Sequence, residues 1–145
     1  AAPTHAFDLG KALKGAAGHS DADTLTHAII DALLGAAGLG DIGHYFPDSD
    51  VKWKGADSIK LLAKTLDILK DAGYEPVNVD ATIHLEVPKL AHLKQGMSHN
   101  IAAILKIPNH CVNIKAKTGE GLDSVGKGET VEAFAIAQVK LIRAS

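Results

Sequence analysis

The densest run of reactive side chains is Gly18-His19-Ser20-Asp21-Ala22-Asp23-Thr24-Leu25-Thr26-His27. Its residue types and the apolar residues after it predict that the run enters a helix. Ser20, Asp21 and Asp23 are N-cap and first-turn residue types, and Leu25, Ile29, Ala32, Leu33 and Ala36 then recur at helical spacing. Asp23 and His27 stand four residues apart and therefore share one helix face. An imidazole with a carboxylate nearby suits zinc or another divalent cation. Free N–H groups at a helix start favour an anion, above all a phosphate. The plainer alternative is that the serine and the aspartates only cap the helix, with His27 a core histidine.

Two other segments carry polar chemistry. Gly40-Asp41-Ile42-Gly43-His44-Tyr45-Phe46-Pro47-Asp48-Ser49-Asp50 offers carboxylates and backbone N–H groups around glycines. Carboxylates accept from sugar-type hydroxyls and backbone donors meet phosphate oxygens; an ordinary solvated turn anchored by Phe46 and Trp53 is the alternative. Lys115-Ala116-Lys117-Thr118-Gly119-Glu120 leaves a strand for a loop, with Lys117 and Thr118 as phosphate donors and Gly119 allowing close backbone approach. Cys111 has nothing beside it that activates a thiolate and reads as inert. His5, His44, His84, His92, His99 and His110 show no ligand spacing and read as surface or core residues.

These side chains need a scaffold. The chain has 145 residues, 46% hydrophobic and 22% charged, which fits one globular domain over 1–145. Aromatics are 4%, so the core is expected to be aliphatic. A short strand is predicted over 4–9. A second helix opens at Asp57 or Ser58, puts Ile59, Leu62, Ala63, Leu66 and Leu69 on one face and stops at Gly73. Residues 77–87 alternate: Val77, Val79, Ala81, Ile83, Leu85 and Val87 face one way, and the polar residues between them the other, as in a half-buried strand. A third helix is expected over 89–105, with Leu90, Leu93, Met97, Ile101 and Ile104 inward, and strands over 112–116 and 131–142. The expected class is α+β, with a mixed sheet of about four strands and helices packed on one face. Lys+Arg is 15 against 17 Asp+Glu, a net charge of −2, so no basic excess exists to hold a nucleic acid backbone. No apolar run suits a membrane span, and no signal-peptide pattern is visible at Ala1 to Pro3. The single cysteine fits a reducing compartment, not secretion.

Four stretches share a more specific pattern. They are Phe7-Asp8-Leu9; His19-Ser20-Asp21-Ala22-Asp23 with His27 and then Asp31-Ala32-Leu33-Leu34-Gly35-Ala36-Ala37-Gly38-Leu39-Gly40-Asp41-Ile42-Gly43; Phe46-Pro47-Asp48-Ser49-Asp50 with Lys54-Gly55-Ala56-Asp57-Ser58; and Asn113-Ile114-Lys115-Ala116-Lys117-Thr118 with Glu120. In these the sequence resembles the 2-C-methyl-D-erythritol 2,4-cyclodiphosphate synthases, the cyclising enzymes of the non-mevalonate isoprenoid pathway. The resemblance runs from Phe7 to the C-terminus apart from one gap. It implies a homotrimer of α+β subunits, with active sites between neighbours, in a bacterial cytoplasm or a plastid-type organelle. It implies a cytidine diphosphate-linked substrate, 4-diphosphocytidyl-2-C-methyl-D-erythritol 2-phosphate, whose 2-phosphate attacks its own diphosphate and expels CMP. That is a phosphorus–oxygen lyase reaction, and the implied cofactors are zinc and a magnesium or manganese ion.

By the same resemblance, Asp8 and His27 match two zinc ligands, with Asp8 near the substrate as well. His19 and Thr118 match the pair that stabilises the transition state from two sides, and Ser20 touches substrate beside His19. Asp41, Ile42 and Gly43 line the erythritol pocket, as do Phe46, Pro47, Asp48, Ser49 and Asp50. Leu85, Glu86, Val87, Pro88, Lys89 and Leu90 follow the segment that reads the cytosine. Lys117, Thr118, Gly119 and Glu120 hold the diphosphate and cytidine side, with Ser124 and Lys127 as further contacts. The sequence also departs from the pattern. The family has Asp-x-His at the first stretch, whereas Leu9 and Gly10 follow Asp8 here, and only residues 10–18 stand where the family has a longer hairpin. Zinc lacks its expected second ligand and is expected to bind more weakly for it. Gly121 stands for a usual lysine, and Lys127 for an arginine, keeping the charge without the bidentate fork. The alternative is a metal-poor, non-catalytic homologue that binds nucleotide or isoprenoid phosphates.

Overall fold

Helix α1 (Ala16–Ala36) carries the polar run; the computed structural model to which it belongs describes residues 16–47, 55–84, 94–117 and 132–143. The helix begins earlier than the capping residues suggest, so Ser20, Asp21 and Asp23 lie inside it and not ahead of it. Ala16 and Ala17 are strong helix formers, and a first turn has N–H groups without intrahelical partners in any case. The buried side is Leu25, Thr26, Ile29, Ile30, Leu33 and Leu34, while Ala36, expected inward, is exposed. The helix closes on a Schellman turn: Leu39 N–H donates to Leu34 O at 2.9 Å and Gly38 N–H to Gly35 O at 3.0 Å. Gly38 has φ +69°, where a side chain costs about 1 kcal/mol. A single helical turn, α2 (Ile42–Tyr45), comes next, inside the segment expected to be loop.

Helix α3 (Gly55–Asp71) buries Ser58, Leu62, Thr65, Leu66 and Leu69. Ala63, expected on that face, is exposed, and Thr65 is buried instead. The Thr65 hydroxyl donates to Leu61 O at 2.7 Å, which removes most of the penalty for burying it. Gly73 then turns the chain with φ +89°, and its carbonyl accepts from Ile142 N–H at 2.8 Å.

Strand β1 (Tyr74–His84) begins before the alternating run does. Its partner positions jump from Pro76 opposite Val139 to Asn78 opposite Gln138, so Val77 is the extra residue of a β-bulge. That breaks the expected phase: Pro76 is buried and Val77 only half-buried. From Asn78 the alternation holds, with Val79, Ala81 and Ile83 buried. Leu85 to Val87 lie outside the described residues. Helix α4 (Lys94–Leu105) buries Met97, Ser98, Asn100, Ile101, Ala102 and Leu105, leaving Ile104 half-buried. A short 3-10 turn (Asn109–Cys111) leads to β2 (Val112–Lys117), and β3 (Glu132–Leu141) completes the described elements.

The sheet order is β2-β1-β3, with β1 and β2 parallel and β1 and β3 antiparallel. The class is α+β with a mixed sheet, as expected, and the described residues contain three strands. The strand predicted over 4–9 lies outside them. The inner face, Val79, Ala81, Ile83, Val112 and Ile114, shares one core with Leu25, Ile29, Leu33, Leu62, Leu69, Met97 and Ile101. The inward positions of β3 are Ala133, Ala135, Ala137 and Val139, and these small residues let α1 lie close against the strand. The outer face is polar on β1 and β2, and β3 adds Phe134 and Ile136, which are 60% and 75% exposed. No helix of the described residues is long and apolar enough to cross a membrane.

Candidate functional site

His19, Asp23 and His27 recur every fourth residue on α1, a row that drifts by about 40° per step. His27 and Asp23 are half-buried, between the solvent and the Leu25–Ile29 side of the helix. Asp23 Oδ1 is a buried oxygen that accepts no hydrogen bond among the described residues. The Nε2 of His27 is enclosed as well, and the residue has an interaction within the molecule, as do Thr24 and Thr26. One more step of four brings the row to Asp31, which is exposed.

The Asp41–Ile42–Gly43 segment is fixed by two carboxylates. Asp41 is the N-cap of α2, and its Oδ1 accepts from His44 N–H at 3.0 Å. Asp31 Oδ1 accepts from Ile42 N–H at 2.7 Å, tying the segment to the polar row of α1. Gly40 makes the approach with φ +93°. Ile42, Tyr45 and Phe46 pack against the core, while Asp41, Gly43 and Pro47 are exposed. The anchor is apolar and the exposed side polar, as a hydroxyl-rich ligand requires.

Lys117 ends β2 and pairs in register with His84. Upstream on the same outer face, Asp80 accepts from Lys115 Nζ and from Asn113 Nδ2, both at 3.1 Å. The Lys115 hydrogen bond, and after it that of Asn113, hold the Asp80 carboxyl below its ordinary value of 3.8. Both members of the ion pair are roughly half exposed, so it contributes only about 0.2–1 kcal/mol. A lowered carboxyl stabilises the fold above its unfolded value and loses that contribution as pH falls through its folded value. Asp80→Asn is therefore expected to flatten the decline of Tm below pH 3.8 and to shift Tm little at neutral pH, in melts run across the acid range.

Comparison with known proteins decides what this arrangement belongs to. The YgbB family model matches residues 8–140. The chain belongs to the YgbB family. It is 53% identical over 126 residues to a 2-C-methyl-D-erythritol 2,4-cyclodiphosphate synthase of Desulfosudis oleivorans, covering 87% of this chain and 75% of that protein. It is 55% identical over 119 residues to the protein of the same name in Bordetella pertussis, covering 82% and 74%. Among solved structures it superposes on the bifunctional IspDF of Campylobacter jejuni with a TM-score of 0.76 at 39% identity, over 82% of this chain and 32% of that one. It also superposes on the CDP complex of Plasmodium falciparum IspF with a TM-score of 0.71 at 28% identity, over 83% and 72%. The resemblance seen in the four sequence stretches is a family relationship.

The described residues place His19 and Ser20 in the first turns of α1, His27 farther along it, Asp41 to Gly43 beside its end, and Lys117 at the end of β2. The remaining expected site residues of this YgbB-family chain fall outside the described residues: Asp8, Asp48 to Asp50, Leu85 to Leu90, Thr118 to Glu120, Ser124 and Lys127. For a divalent cation the donors fit in kind. Zinc takes neutral imidazole and carboxylate oxygen, and α1 offers both on one face, with a buried carboxylate oxygen left open at Asp23. Among the described residues no group of three or more His, Cys, Asp or Glu forms a metal cluster, and Asp8, the zinc ligand expected together with His27, lies outside them. Sequence reasoning gave Asp31 no role, although its place one step beyond His27 on the same row was a usable signal.

Proposed function

We propose that this chain converts 4-diphosphocytidyl-2-C-methyl-D-erythritol 2-phosphate to 2-C-methyl-D-erythritol 2,4-cyclodiphosphate with release of CMP. The observation that carries the reading is the match, across most of the chain, to proteins named as this synthase. In the step, an oxygen of the 2-phosphate bonds to the β-phosphorus of the same molecule, and the bond from that phosphorus to the bridging oxygen breaks. CMP leaves with the bridging oxygen and the electron pair. The chain then has to position two phosphates and hold their charge, and needs no nucleophile of its own.

In this reading Asp8 and His27 hold zinc, and magnesium or manganese binds the diphosphate; the cations supply charge neutralisation. His19 and Thr118 stand on either side of the reacting phosphates. Asp41, Asp48 and Asp50 take the erythritol hydroxyls in a pocket also lined by Ile42, Gly43, Phe46, Pro47 and Ser49. Leu85 to Leu90 and Lys117 to Glu120 take the cytidine and diphosphate, and the CDP named with the Plasmodium falciparum structure supports a cytidine diphosphate subsite. The exposed Phe134 and Ile136 on an otherwise polar sheet face support assembly with further copies, as a homotrimer whose sites lie between subunits. The non-catalytic alternative rests on the missing second zinc ligand after Asp8, and the names of the relatives do not favour it.

The test is product analysis with the cytidyl substrate and a divalent cation. One CMP per cyclic diphosphate is the expected result. A linear product carrying oxygen from labelled water shows hydrolysis, and no turnover by the metal-replete protein shows a binding protein; either result overturns the reading.

A further inference from the structure

We infer that Asp31 is a positioning residue, whose carboxylate on the Ile42 amide sets the Asp41–Ile42–Gly43 segment against the polar row of α1. The inference rests on the reaction proposed above and adds to it a residue that touches no substrate. At 2.7 Å the bond is at the short end for N–H to oxygen, the range of charge-assisted hydrogen bonds. It spans eleven residues and closes over the turn in which both Gly38 and Gly40 have positive φ.

The backbone around those glycines does not by itself fix where the next segment goes. The Schellman bonds end at Leu39, and Asp41 spends its own Oδ1 on His44 N–H. Ile42 N–H is the first donor of α2 and has no carbonyl of its own helix to meet. Asp31 meets it. The same α1 row that carries His19, Asp23 and His27 thus also holds the erythritol segment, so both ends of the reacting molecule are referred to one rigid helix.

Removing the acceptor frees the segment to pivot at Gly40 while leaving α1 helical, since alanine is the best helix former and Asp31 is exposed. The consequence falls on the erythritol end of the substrate and not on the cytidine end. Asp31→Ala is expected to raise KM about tenfold with kcat within about twofold, the effect of losing one hydrogen bond to a charged group. The affinity for CDP, which has no erythritol, should stay within about twofold of the parent. Asp31→Asn keeps an oxygen acceptor and should recover KM to within about threefold of the parent.

The experiment is steady-state kinetics on the parent and both variants, with CDP titrations by calorimetry alongside. A KM within about twofold of the parent in Asp31→Ala overturns the inference. So does a parallel loss of CDP affinity, which marks general loosening, or an Asp31→Asn variant as impaired as Asp31→Ala. A parent protein that releases no CMP overturns the proposed reaction and this inference together. A parent that turns over beside an unaffected Asp31→Ala overturns this inference alone.

Discussion

On the zinc site proposed above, His27→Ala is expected to abolish zinc binding and to lower CMP release at least about a hundredfold, more than the loss of a supporting group around a metal costs. The imidazole is half-buried on α1 and shares a face with Asp23, so no other described side chain on that turn takes over its nitrogen. The helix itself should survive, because alanine favours it and the apolar side from Leu25 to Leu34 is untouched. Metal content by mass spectrometry, circular dichroism and CMP release, measured on one preparation, check the three parts. A variant that still holds zinc and still turns over removes His27 from the metal site.

The second large effect is expected on assembly. For the homotrimer proposed above, with this sheet face between subunits, Ile136→Lys should yield monomers and take activity down at least about a hundredfold, because desolvating an ammonium in an interface costs several kcal/mol even where a carboxylate faces it. In the separate subunit the change is benign. Ile136 is 75% exposed, and its register partner on β1 is Asp80, so the new ammonium faces a carboxylate across the strand pair. The two-sided outcome makes the test specific: sedimentation should show monomers while the melting profile keeps a folded subunit. A trimer that persists with full activity would take this sheet face out of the interface.

The parts of the fold that were legible are those set by local pattern. The Val79, Ala81 and Ile83 alternation needs only the two-residue period of a strand, and Leu25, Ile29 and Leu33 only the helical one. What local pattern missed depends on partners distant in sequence. Val77 fits the alternation as a letter, and only the pairing of Pro76 with Val139 and of Asn78 with Gln138 leaves it out as a bulge. Thr65 looks less suited to burial than Ala63, yet its hydroxyl finds Leu61 O one turn back, which a count of apolar residues does not register. Ser20 and Asp21 look like a helix start, but Ala16 and Ala17 carry the helix past them.

The site was legible through resemblance more than through chemistry. The spacing of Asp23 and His27 suggested a cation, and the described residues keep both on one face of α1. The Asp41 segment read as a glycine-bounded loop; its single helical turn comes from Asp41 capping His44, an aspartate three residues ahead of a free N–H. The four-residue row marks Asp31 in the letters, but its bond to Ile42 crosses a two-glycine turn and is visible only in the fold.

The inward methyl groups of Ala133, Ala135 and Ala137 have one further effect. They act as shims that set the height of α1 above the sheet, and with it the position of the His27 row. Widening one of them to valine would tilt the helix without altering any polar residue. The placement of that polar row therefore rests on side chains that have no chemistry at all.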